Sequence, residues 1–197
     1  MYKSWIQTPI GYELYAQGQY EREFLAFMYG GVYDGWFFYI PYHSDKEILL
    51  KAGSLKDAKR EVEQRMQRNI LNERNRYEYY INETSNRYGW TEYNDDSYEL
   101  RVKSPEKEMV TAARVEKDEW YGYKYSTLFE PCFTRHILLL NTAVQKMAID
   151  SIREYGERQI DTCEMLILML EEEAPVKNIV YEQQKYYQIG NKQSYYV

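Results

Sequence analysis

The sequence predicts an α+β protein made of two tandem units, each a three-stranded antiparallel β-meander followed by a helix, with a C-terminal helical hairpin. Three observations carry this expectation. The first is an imperfect internal duplication. Trp5 is followed by Tyr12-Glu13-Leu14, by Glu23-Phe24-Leu25-Ala26, and by Trp36-Phe37 and Tyr39. Trp90 is followed by Tyr98-Glu99-Leu100, by Glu108-Met109-Val110, and by Trp120-Tyr121 and Tyr123. The spacings from tryptophan to tryptophan are 31 and 30 residues, and they use all 4 tryptophans in the chain. The second observation is two-residue alternation within each repeat, and the third is helical spacing of apolar residues after each. The expected units are residues 1–89 and 90–197.

In the first unit Pro9 interrupts, and residues 10–16 then alternate, with Tyr12, Leu14 and Ala16 opposite Glu13 and Tyr15. Gly18 marks a turn, residues 20–29 read as a second strand, and Gly30-Gly31 and Asp34-Gly35 supply turn chemistry. Residues 36–42 form an expected third strand, aromatic on both faces, until Pro41 ends regular pairing. A sheet with two apolar faces must cover both. One cover follows directly: Ser54 is a good N-cap, Asp57 favours the first turn, and Leu55, Ala58, Val62, Met66 and Ile70 recur at helical spacing. With no internal Gly or Pro, this helix can run to about Tyr88, where Gly89 stops it.

The second unit repeats the pattern. Asn94-Asp95-Asp96 is a turn, and Tyr98, Leu100 and Val102 alternate with Glu99, Arg101 and Lys103. Ser104-Pro105-Glu106-Lys107 fits a tight turn with proline at its second position. Residues 108–115 and 120–126 complete the meander, with Tyr121, Tyr123 and Tyr125 lining one face. Phe133, Ile137, Leu140, Val144, Met147 and Ala148 then predict a helix ending near Gly156. Ile160, Cys163, Leu166, Ile167 and Leu170 predict its hairpin partner, and residues 176–189 one further short helix. Residues 165–170 are apolar all round, which suits a core helix or, through residues 160–170, a homodimer interface.

Composition narrows the function classes. The chain has 197 residues, 44% hydrophobic and 28% charged, in the range of folded soluble proteins, but 23 are tyrosine. Tyrosine buries a large ring and keeps a polar hydroxyl, so it suits half-buried sheets and binding surfaces. No apolar run reaches the roughly 20 residues needed to span a bilayer. The first residues lack a signal-peptide pattern, and 2 cysteines make no disulfide framework. A cytoplasmic protein without a membrane partner is expected. Residues 1–89 carry 12 basic and 12 acidic residues, and residues 90–197 carry 13 and 19, which gives the whole net charge of −6. Neither half has the basic excess usual in proteins that neutralise phosphates.

The chain offers little for catalysis. It has 2 histidines, His43 and His136. His43-Ser44-Asp45 unites triad residue types, but adjacent residues cannot adopt the relay geometry. Cys132 and His136, four apart, would share a helix face and still need more ligands for zinc. With antiparallel helices around Gly156, Cys163 would lie roughly 25 Å from Cys132 along the axis. Gly53-Ser54-Leu55-Lys56 lacks phosphate-loop spacing and is explained by the N-cap. No enzyme activity, cofactor or metal is expected.

What remains is aromatic surface. Aligning the repeats places Phe37, Tyr39 and Pro41 over Tyr121, Tyr123 and Tyr125. These rings either pack beneath the helices or between the sheets, or they form a face that contacts a partner; Phe37, Tyr39, Tyr121, Tyr123 and Tyr125 are the candidates. Tyrosine and tryptophan carry a large share of interface energy. The expected function is therefore a non-catalytic macromolecule-binding protein, a protein-binding inhibitor or adaptor using an acidic, tyrosine-rich second half. One form of it is a mobile-element anti-defence inhibitor that occupies the basic groove of a nucleic-acid-binding enzyme, where negative charge speeds association. The alternative is nucleic-acid binding by the sheet-plus-helix units, through Arg65, Arg68 and Arg74.

Overall fold

The structure, a computed structural model, describes residues 2–18, 22–40, 47–85, 89–94, 96–119, 122–136 and 140–172. It is α+β. Strands β1 (Tyr2–Thr8), β2 (Gly11–Gln17), β3 (Arg22–Gly31), β4 (Gly35–Tyr39) and β5 (Ile48–Leu50) precede helix α1 (Leu55–Ser85). Strands β6 (Trp90–Asn94), β7 (Ser97–Lys103), β8 (Met109–Lys117), β9 (Tyr123–Thr127) and β10 (Thr134–His136) precede helix α2 (Asn141–Glu171). Each group of strands is an antiparallel meander in sequence order. The meanders thus have five strands each, not three.

The additional strands are edges. Pro9 does interrupt, but as the turn of a hairpin whose first strand pairs along its whole length, with Trp5 opposite Leu14. The Gly11 amide donates to Thr8 Oγ1 at 3.1 Å and closes that turn. Trp90 lies opposite Leu100 in the same way. The two meanders also share a register irregularity, between Leu14 and Tyr15 against β3 and between Leu100 and Arg101 against β8. In both cases the leucine pairs with an alanine, Ala26 or Ala113. Pro105 occupies the expected turn, in which the Lys107 amide donates to the Ser104 carbonyl at 2.8 Å.

Helix α1 starts as its cap dictates. Ser54 Oγ accepts from the Asp57 amide at 3.2 Å, donates to the Asp57 carboxylate at 2.6 Å, and the Ser54 carbonyl accepts from Ala58. Ala58, Val62, Met66 and Ile70 are buried. Facing them in the first sheet are Leu14, Ala16, Ala26, Met28, Trp36, Phe38 and Leu50, also buried. Each of the larger side chains contributes about 1.5–3 kcal/mol of hydrophobic stabilisation before entropy is counted, and the alanines contribute less.

The C-terminal hairpin is absent among the described residues. Helix α2 is continuous through Gly156, and the expected helix start at Phe133 gives way to β10 over Thr134–His136, with α2 beginning at Asn141. A mid-helix glycine costs only about 1 kcal/mol, which tertiary packing overrides. Gly156 is there for space: a Cβ would lie 2.7 Å from Ile81 Cδ1 of α1. Val144, Ala148, Ile152 and Gly156 form the buried stripe of α2. The expected strand end around Pro41, Tyr88 at the end of α1, Asp95, Trp120 and the helix over residues 176–189 lie outside the described residues.

The chain packs as two compact units, one of Met1–Leu71 with Glu164–Val197 and the other of Asn72–Cys163. The expected boundary at residue 89 follows the chain, whereas this division falls inside α1 and α2. The second unit is centred on Leu100, Val102, Ala113, Val115, Tyr125, Val144, Ala148 and Ile152, with Tyr80 of α1. No helix among the described residues is long and apolar enough to cross a membrane.

Candidate binding surface

Opposite residues of an antiparallel pair share a sheet face. In the first sheet the face away from α1 therefore carries Glu13 beside Phe27, Phe27 beside Tyr39, Tyr29 beside Phe37, and Phe37 beside Leu49. The rings form a continuous ladder. Phe27 and Tyr39 centroids are 5.4 Å apart, Phe27 and Tyr29 6.1 Å, and Tyr29 and Phe37 are stacked at 5.6 Å with planes 20° apart. Toward the β2–β3 end, Tyr15 lies 5.2 Å from Phe24, and the Arg22 guanidinium sits 3.6 Å over the Tyr15 ring. Gly11 makes the ladder possible, because a Cβ there would lie 2.6 Å from Phe27 Cζ and 2.4 Å from the Met28 carbonyl oxygen.

The face is partly open. Tyr29, Phe37 and Tyr39 are half-buried and Leu49 is 58% exposed. The hairpin turns at one end of this sheet add exposed apolar side chains, namely Ile10, Val32 and a fully exposed Tyr33. Two carboxylates stand among the rings. Glu13 accepts from the Tyr15 hydroxyl at 2.8 Å. Glu47 is hydrogen-bonded to Tyr29, which, with desolvation and the nearby negative charge, raises the Tyr29 phenol above its ordinary pKa.

The same face of the second sheet has different chemistry. Counting from Ala26 and Ala113, Arg114 occupies the place of Phe27, Glu116 that of Tyr29, Lys124 that of Phe37 and Ser126 that of Tyr39. These side chains form an ion ladder. Arg114 Nε donates to Glu99 at 3.0 Å and a second guanidinium nitrogen also bonds that carboxylate. Lys124 Nζ lies 3.4 Å from Glu116, and Arg114 3.7 Å from it. Beside the ladder is an open depression of ≈ 280 Å³ whose lining includes Thr111, Arg114, Ser126 and Phe133. Its one charged wall group is already held by Glu99.

This register corrects the alignment of the repeats made on the sequence. Phe37 corresponds to Lys124, not Tyr121, a slip of three residues, and an odd slip exchanges the two faces of a strand. Phe37 and Tyr39 lie on the outer face as expected. Tyr123 and Tyr125 point to the helix side: Tyr125 is 9% exposed within the core, and Tyr123 packs against it. Tyr121 lies outside the described residues. The missed members of the ladder, Phe27 and Tyr29, sit in an apolar run whose faces the sequence does not separate.

The other candidates are placed as follows. Arg65 pairs with Glu61 at 2.7 Å and Arg74 with Glu78 at 2.9 Å, each one helical turn away, and Arg68 is exposed. Cys132 is an exposed free thiol before β10, so the helical face it was expected to share with His136 does not exist. Cys163 is a buried thiol of α2. His43 lies outside the described residues. Among the described residues no group of three or more His, Cys, Asp or Glu could hold a metal ion. Within residues 160–170, Met165 and Leu168 are exposed while Cys163, Met169 and Leu170 are buried. Comparisons with protein-family models, curated proteins and solved structures give no significant match for this chain.

Proposed function

We propose that the chain is a non-catalytic protein-binding protein, an inhibitor or adaptor, whose contact surface is the outer aromatic face of the first sheet. One observation carries this reading: equivalent positions hold a self-satisfied ion ladder in the second sheet and, in the first, a ladder of rings half-exposed at Tyr29, Phe37 and Tyr39. An ion ladder needs no partner. Half-buried tyrosine and phenylalanine, ordered by cross-strand stacking, present area that a partner can bury at little further entropic cost. An inhibitor that blocks the basic groove of a nucleic-acid-binding enzyme is one form of this function, and Glu13 and Glu47 favour it through charge complementarity. The nucleic-acid-binding alternative draws less support, because Arg65 and Arg74 are already paired with carboxylates of their own helix.

The test is quantitative affinity capture with the wild type, Tyr29→Ser/Phe37→Ser, and Arg101→Ser as an exposed control on the second sheet. A protein retained by wild type and control but lost from the face variant supports the reading. Equal retention by all three chains rejects it, as does capture only of nucleic acid that depends on Arg65, Arg68 and Arg74.

A further inference from the structure

Building on that reading, we propose that the outer face of the first sheet takes an arginine-bearing segment of the partner protein, its guanidinium groups stacking on Tyr29, Phe37 and Tyr39 and pairing with Glu13 and Glu47. The second sheet shows the chemistry with the cations built in. There, Glu99 of the Tyr-Glu-Leu triplet is bound by Arg114, and Lys124 completes the row. The first sheet keeps the triplet glutamate as Glu13, but replaces both cations by rings, Phe27 and Phe37. Neither Glu13 nor Glu47 is paired with a cation among the described residues. The face therefore lacks both cations that complete the second sheet's ladder, and Arg22 stands only at its end.

A second observation shows that its rings accept a guanidinium. Arg22 lies flat enough over Tyr15 to bring Cζ within 3.6 Å of the ring centre, at one end of the same face. Arginine suits the site better than lysine, since a planar guanidinium stacks on a ring while its edge bonds a carboxylate. Glu47 directly precedes Ile48, the partner of Phe38, so it falls on the face of Phe37 and Leu49, where its proximity raises the Tyr29 phenol. A nucleic-acid strand could use the rings for stacking, but its phosphates would meet two carboxylates; an anionic vesicle surface would meet the same repulsion.

The experiment uses the full chain and a fluorescein-labelled peptide of alternating glycine and arginine, read by fluorescence anisotropy. Lysine and glutamate counterparts, an oligothymidylate and phosphatidylserine vesicles are run alongside. The arginine peptide should bind most tightly. Glu13→Gln/Glu47→Gln, which keeps side-chain shape, should weaken it roughly tenfold or more, and Phe37→Ser by a similar factor. Glu157→Gln/Asp161→Asn, an equal change of charge on exposed α2 positions, should leave it unchanged. Equal weakening by that control pair overturns the proposal, as do preference for the oligonucleotide or vesicles and self-association that displaces the peptide. Loss of capture in the Phe37 variant without arginine-peptide binding rejects this inference alone. Capture indifferent to the face rejects the function beneath it as well.

Discussion

Phe27 and Arg114 occupy the same position in the two sheets: each follows the alanine paired with the leucine of a Tyr-Glu-Leu triplet, and each lies opposite that triplet's glutamate. One residue type at this point decides what the whole face becomes. With arginine, the buried Glu99 is neutralised in place and the next positions extend an alternating charge ladder. With phenylalanine, the ring crosses Gly11 and starts a stack that runs through Tyr29 to Phe37.

Removing the guanidinium should show how far the second sheet depends on it. The Glu99 side chain is 8% exposed, so Arg114→Leu strands a buried carboxylate. Breaking a buried pair typically costs about 3–5 kcal/mol, and partial exposure of Arg114 places the expected loss near the lower bound. The double variant Glu99→Leu/Arg114→Leu replaces both charges by apolar groups and should recover most of it. Urea denaturation of the two single variants and the double variant measures the coupling; a loss below about 1 kcal/mol for Arg114→Leu would mean that water already solvates Glu99.

The two faces predict opposite outcomes for aromatic residues that look alike in sequence. Tyr125→Ala should cost about 3–5 kcal/mol, because the ring fills the core of the second unit beside Val115. Phe37→Ala should cost only about 1–2 kcal/mol, the lost stacking on Tyr29 and part of its burial. Thermal and urea unfolding of the pair will rank them, and the reverse order would put Phe37 in the core.

Glycine substitutions divide by what they meet. Gly11→Ala pushes a Cβ against a backbone carbonyl and the Phe27 ring, neither able to give way cheaply, and should cost about 2–3 kcal/mol. Gly156→Ala meets the end of the half-buried Ile81 side chain and gains about 1 kcal/mol of helix propensity. Its net effect should lie within about 1 kcal/mol of zero. Denaturation midpoints check both, and a smaller loss at Gly11 than at Gly156 would contradict the packing.

The parts of this fold legible in the sequence are those with enough residues to show a period. Strands β2 and β7 alternate over most of seven residues, β3 and β8 are long and bounded by turn residues, and Ser54 announces α1. Strands β5 and β10 have three residues each, too few for any period. Strand β1 is hidden for another reason: its helix-facing Lys3 and Trp5 are satisfied by Glu63, at 2.9 and 2.7 Å, so its inner face does not read as apolar. The candidate surface was half legible. Phe37 and Tyr39 lie in the expected third strand, but the tryptophan spacing misleads: the register counterpart of Trp36 is Tyr123, three residues beyond Trp120. That shift carries Tyr123 and Tyr125 into the core.

Lys59 provides a pH-dependent test of the packing between the first sheet and α1. It is half-buried, with Nζ 5.3 Å from the Trp5 ring centre and 4.8 Å from that of Tyr12. Burial lowers its pKa below 10.5, and the negative charge of Glu63, itself bonded to Lys3 and Trp5, offsets part of the shift. Between the lowered value and 10.5 the unfolded chain therefore binds more protons at this residue than the folded one. Its contribution is unfavourable at neutral pH and is relieved as pH rises through that window. Lys59→Met keeps the stem and removes the charge, so it should stabilise the protein at pH 7, with an advantage that shrinks at pH 10. Tyr77, whose phenol burial raises, works in the opposite sense at alkaline pH but is common to both chains and cancels in the difference. Urea unfolding of wild type and variant at the two pH values gives the answer; an advantage that is constant, or that grows with pH, would show that Lys59 keeps its hydration beside the rings.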